Sequence, residues 1–94
     1  MKSTNLIRAP FTIELAKKIT NGEIEGRIVR NYDNANVRIV CWNHKSLSGQ
    51  YPLMVLVENG IFEEPELYTS DGRFQSWKHG NINKYDLVIL YNKN

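Results

Sequence analysis

Apolar and polar positions change their period along this chain, and each change marks where one element gives way to the next. Between Pro10 and Gly22 the apolar side chains Ile13, Leu15, Ala16 and Ile19 fall at helical spacing, with Leu15 and Ile19 one turn apart. Thr12 reads as the N-cap of that helix, because its hydroxyl can accept a hydrogen bond from an orphan first-turn amide. Glu14 near the start and Lys17 and Lys18 near the end suit the helix dipole, and Asn21-Gly22 offers the positive φ that commonly ends a helix. So short a helix is stable only when docked, so its apolar stripe is expected to lie on a sheet.

From Glu23 the period drops to two. Ile24, Gly26 and Ile28 share one face of a strand ending at Arg30, while Glu23, Glu25 and Arg27 point the other way. A polar, turn-rich run from Asn31 to Asn36 leads into a second strand, Asn36 to Trp42, and the two form a predicted hairpin. Pairing Ile28 with Ile39 and Gly26 with Cys41 buries Cys41 and leaves Arg27, Arg38, Val40 and Trp42 on the outward face. A one-residue slip would exchange those faces. The apolar run from Tyr51 to Val57 predicts a strand at the centre of the sheet, with Pro52 at its start, where a missing amide does least harm. Glu58-Asn59-Gly60 is a turn, and Pro65 makes Ile61 to Thr69 a bent or edge strand around Leu67 and Tyr68. Ser70-Asp71-Gly72 turns into a short strand from Gly72 to Gln75, and after a loop through His79, Gly80 and Asn81 a last strand runs from Asp86 to Tyr91. The predicted fold is mainly β (α+β): a short N-terminal helix packed on a curved, largely antiparallel sheet of about five or six strands, or a small partly open barrel.

Length and composition constrain what such a fold can do. Residues 1–94 are expected to form a single domain, and a hydrophobic share of 41% with 23% charged residues belongs to a folded chain rather than a disordered one. A chain this short buries only about 60 to 65% of its unfolded surface, which leaves little room for a deep enclosed pocket and argues against a buried cofactor. Cys41 is the single cysteine, so no intramolecular disulfide forms and a reducing, cytoplasmic compartment is expected. No apolar run reaches membrane-spanning length, and no membrane partner is expected. The formal charge of +2 is unevenly spread: residues 1–50 hold eight Lys and Arg against four acids, and residues 51–94 hold four against six. Such asymmetry either marks a basic face or vanishes when the halves pack together.

Candidate chemistry is sparse. Cys41 and His44 are close in sequence, but the alternation places the thiol inward, where the reactive thiolate is disfavoured. Two histidines and one cysteine without clustered spacing fall short of a zinc site, and Glu63, Glu64 and Glu66 beside Pro65 read as a solvated edge that discourages aggregation. Ser46, Ser48, Ser70 and Ser76 sit in turn-like contexts without a base at fixed spacing. There is no Gly-rich phosphate cradle and no nucleophile elbow. Catalytic residues, metal ligands and cofactors are therefore not assigned. The positive signal is the outward set Arg27, Arg38 and Trp42, which folding could extend with Arg30, Lys45, Arg73, Trp77 and Lys78. Basic groups beside aromatics can hold single-stranded nucleic acid through phosphate contacts and stacking, although Glu25 opposes a polyanion. The other reading is protein interaction or self-association through a sheet edge or the Trp42 face, with the acidic Ile61 to Glu66 segment complementing the basic hairpin of another copy. A non-enzymatic module with a protein partner ranks first, nucleic acid second and an enzyme third.

The segments Asn5 to Thr12, Ala16 to Ile19 and Gly26 to Val29 resemble small proteins encoded in gut-bacterial and phage-related genomes, and the likeness is concentrated in the N-terminal half. These relatives have no established activity, so the resemblance implies no site residue. It implies a cytoplasmic accessory protein of mobile-element origin, a setting in which small non-enzymatic binders are common.

Overall fold

The computed structural model describes residues 6–45, 47, 49–74 and 86–92. The elements are β1 (Leu6–Pro10), α1 (Ile13–Thr20), β2 (Gly26–Arg30), β3 (Asn36–Cys41), β4 (Leu53–Asn59), β5 (Phe62–Tyr68) and β6 (Leu87–Asn92). All six strands join one antiparallel sheet in the order β1-β6-β2-β3-β4-β5, which does not close, so β1 and β5 are its edges. The mainly β class with one short helix is as predicted, but three placements differ. Leu6 to Pro10, unassigned from the sequence, pairs along its whole length with β6. The last strand inserts between β1 and β2, and β4 is the penultimate strand rather than the central one. The expected strand after Asp71-Gly72 is reduced to an isolated bridge between Tyr68 and Phe74. Gln75, and with it Ser76, Trp77, Lys78 and the loop through His79 to Asn81, lies outside the described residues, as do Ser46 and Ser48.

Helix α1 has the ends its sequence predicts. Thr12 Oγ1 accepts from the Leu15 amide at 3.1 Å. At the other end Gly22, with φ +82°, lets its own amide donate to Ile19 O at 3.1 Å and the Glu23 amide donate to Lys18 O at 2.8 Å, the paired bonds of a Schellman motif. The helix lies over β2 and β6, and its Ala16 is fully buried there. Beneath it one face of the sheet forms the core, with Ile28, Val37, Leu53, Val55, Val57 and Ile89 joined by Phe11 and Tyr68. Six of these eight are aliphatic strand residues of β2, β3, β4 and β6, those of β4 at alternating positions, as period-two patterning requires.

In the β2–β3 hairpin, Ile28 pairs with Val37 and Val29 with Asn36. This register is two residues from the expected Ile28–Ile39 pairing, and an even shift preserves which face each side chain takes. The turn explains the shift. Asn34 adopts φ +55°, the Arg30 amide donates to Ala35 O at 2.9 Å, and the Asn34 amide donates to Arg30 O at 2.9 Å, so the loop closes early. Asp33 locks it: its carboxylate receives Arg30 Nε at 3.1 Å, Arg30 Nη2 at 2.6 Å and the Ala35 amide at 3.1 Å. The Arg30 guanidinium holds the Asp33 carboxyl below the ordinary carboxylate range, against a smaller opposing effect of burial. A folded-state pKa below the unfolded one stabilises at neutral pH, and that stabilisation is lost as pH falls through the folded value. Urea unfolding is therefore expected to show a larger loss of stability between about pH 6 and about pH 2.5 for the wild type than for Asp33→Asn.

Candidate interaction site

The sheet has two unlike faces, and the predicted trio of Arg27, Arg38 and Trp42 is split between them. Arg27 and Arg38 project from β2 and β3 on the face away from α1. Along β3 the pairing runs Val37 with Val57, Arg38 with Leu56 and Ile39 with Val55, and then shifts so that Cys41 meets Met54. Val40 is the extra residue of this β-bulge. Beyond a bulge the alternation changes sense. Cys41, expected to be buried against the core, therefore shares a face with Met54 and Arg38 and is only partly covered, its thiol donating to Asn43 Oδ1 at 3.4 Å. Trp42, expected outward, turns to the helix side, packs against the core and lies with its ring 5.4 Å below the Lys17 ammonium. His44 is tied down as well: its Nδ1 lies 3.2 Å from Tyr51 O.

Of the two arginines that do share the helix-free face, Arg38 is paired with an acid and Arg27 reaches one only through Asn36. Arg38 makes a two-pronged ion pair with Glu63, Nε to Oε2 and Nη2 to Oε1 both at 2.9 Å, reaching across β4 to the edge strand. The pairing holds Glu63 below and Arg38 above their ordinary pKa values. Arg27 Nη1 donates to Asn36 Oδ1 at 2.7 Å, and Asn36 Nδ2 in turn donates to Glu58 Oε1 at 3.0 Å. Part of the charge asymmetry between the two halves is thus neutralised within the fold: a basic residue of the first half and acids of the second meet on one surface.

The sequence points to Ile61 to Glu66 for its acids; the structure adds an exposed apolar pair at the tip of the β4–β5 hairpin. Asn59 pairs with Phe62, leaving a two-residue loop of Gly60 and Ile61. Gly60 has φ +64° and Ile61 does not have a positive φ, the pattern of a type II′ turn, which matches the twist of the flanking strands. Because β3 begins at Asn36, opposite Glu58, the pair Asn59 and Phe62 and the turn run past its end. Ile61 is 92% exposed and Phe62 70% exposed on this projection. Glu58, Glu63 and Glu64 surround them, with Glu64 Oε2 accepting from Asn59 Nδ2 at 3.2 Å. The sequence signal was present in Gly60-Ile61-Phe62, two large apolar residues directly after a turn glycine, but it reads equally well as the start of a strand with a buried face. Glu66, on the same edge strand but nearer the core, is pushed up by burial and by Glu64, against the pull of Arg30.

Among the described residues, no three His, Cys, Asp or Glu side chains are grouped to hold a metal ion, and no helix is long and apolar enough to cross a membrane. Compared with protein families, curated proteins and solved structures, the chain matches none. Its site must be read from its own surface.

Proposed function

We propose that this chain is a non-enzymatic binding module that contacts another protein through the β4–β5 hairpin tip. One observation carries the reading: Ile61 and Phe62, 92% and 70% exposed, are presented on a preformed turn that no other strand supports. Holding two large apolar side chains in water has no folding benefit, whereas burying them in a partner's pocket removes apolar surface from water. The three carboxylates around the tip, of which only Glu63 has a guanidinium partner among the described residues, select an apolar pocket with a basic rim. They also disfavour tip-to-tip self-association. Arg38, which a second copy would need for its basic hairpin, is already engaged by Glu63.

The nucleic-acid reading retains Arg27, which among the described residues bonds a neutral amide oxygen, but it loses its stacking group because Trp42 faces the helix. The tip reading is tested by placing a photo-crosslinking phenylalanine analogue at position 62 in living cells, with the same analogue at exposed Glu14 as the control. A discrete protein adduct from position 62, absent from position 14 and lost with Ile61→Ser, is the expected result. No adduct, or the same adducts from both positions, would overturn it.

A further inference from the structure

A second site lies away from the hairpin tip and does not depend on it. Where the end of β1 meets the start of β6 and the Thr69 to Arg73 turn, the surface holds a cavity of about 370 Å³, lined by Arg8, Pro10, Asn31, Arg73 and Val88 with Phe11 behind them. The fold builds this corner with backbone bonds: the Leu87 amide donates to Gly72 O and the Asn31 amide to Asp86 O, both at 2.8 Å. Two guanidinium groups border it, and they differ. Arg73 Nε lies 3.6 Å from Asp71 Oδ2, so its charge is answered. Arg8 is held by Asn34 Oδ1 at 3.1 Å, Asn31 O at 2.7 Å and Asn31 Oδ1 at 2.8 Å, all neutral oxygens. Its head is fixed in place with its charge uncompensated by any of these partners, and its Nε–H is unclaimed among the described residues. Two carboxylates also line the cavity: Asp71, beside Arg73, and the buried Asp86, whose Oδ1 accepts from the Phe74 amide at 2.7 Å.

We propose that this cavity binds a small organic oxyanion with a flat apolar body, the anionic head on Arg8 and the body against Pro10 and Val88. A guanidinium positioned by neutral acceptors loses little freedom on binding and gains a charge-assisted, directional bond to carboxylate or phosphate. A cavity of this size accommodates a single-ring ligand with space to spare.

The test uses benzoate, its neutral isostere benzamide, its cationic isostere benzamidinium, and phenyl phosphate, each titrated into the unmodified protein while backbone amide signals are followed by NMR. Benzoate or phenyl phosphate is expected to shift the amides of Gly72 and Val88 in a saturable way, with benzamide binding about tenfold more weakly or worse and benzamidinium not at all. Whichever of the two anions binds more tightly identifies the head group as carboxylate or phosphoryl. Arg8→Gln, confirmed as folded by its spectrum, is expected to lose about tenfold in affinity for the preferred anion. Equal shifts from benzoate and benzamide, binding of benzamidinium, or no saturable shift from either anion would overturn the proposal, as would unchanged affinity in folded Arg8→Gln.

Discussion

Gly26→Ala is expected to destabilise the protein by about 2 to 3 kcal/mol, near the upper end of what overpacking a single methyl costs. The reason is the close approach of β2 to β6. A Cβ at position 26 would lie 2.5 Å from Leu90 O and 2.8 Å from both Cα and Cβ of Tyr91. Two of those three atoms are backbone, so no rotamer change relieves the contact. Since β6 is clamped between β1 and β2, separating β2 from it disturbs both pairings. Gly22→Ala is the informative comparison. That position has φ +82° but nothing within 4 Å of the added methyl, so only the conformational penalty of roughly 1 kcal/mol applies. Urea unfolding of the two variants, analysed with a common m-value, should separate them clearly. A Gly26→Ala midpoint no lower than that of Gly22→Ala would mean that the β2–β6 packing is looser than described.

Tyr68→Ala is expected to cost more, about 3 to 5 kcal/mol, which leaves a domain of this size marginal at best. Tyr68 ends the edge strand β5, yet it is fully buried, because the chain beyond it folds back under the helix-side face. Its ring meets Phe74 edge to face at 5.6 Å between centroids. The same burial holds its hydroxyl well above the ordinary phenol pKa. Removing the ring opens a cavity between β4 and the Thr69 to Phe74 turn, and that turn also supplies Gly72 O to β6. Loss of cooperativity, seen as a lower m-value, should therefore accompany the lower midpoint. Retention of more than half of the wild-type stability would contradict this role.

How far the sequence revealed the fold depended on whether the determinants were local. Thr12 and Gly22 cap α1 through bonds to residues three to five positions away, and both caps were legible. Alternation in Gly26 to Arg30 and Pro65 at the edge strand were equally readable. Leu6 to Pro10 was not, because five residues ending in proline carry too little pattern, and their strand character comes entirely from β6, which arrives some eighty residues later. The bulge at Val40 was invisible for a different reason. Asn36 to Ile39 alternates, but Ile39 to Trp42 is apolar throughout and names no face, so only the pairing with Met54 and Val55 shows that one residue is extra. That single residue decides which face Trp42 takes, and so it dismantled the predicted basic and aromatic site while Arg27 and Arg38 stayed where they were expected. Ile61 to Glu66 was legible for its acids but not for its exposed apolar pair, because exposure is a tertiary property: β3 ends short of Ile61 and Phe62.

The central claim is that the bulge turns Trp42 to the helix side, where it packs partly buried against the core instead of standing on the outer face with Arg27 and Arg38. It is tested most directly by equilibrium urea unfolding of Trp42→Ala. A loss of about 2 to 4 kcal/mol, the range for a large aromatic packed against a core but not wholly enclosed, is the predicted result. A change within about 0.5 kcal/mol of wild type, as surface substitutions give, would contradict it and return Trp42 to the surface as a binding residue.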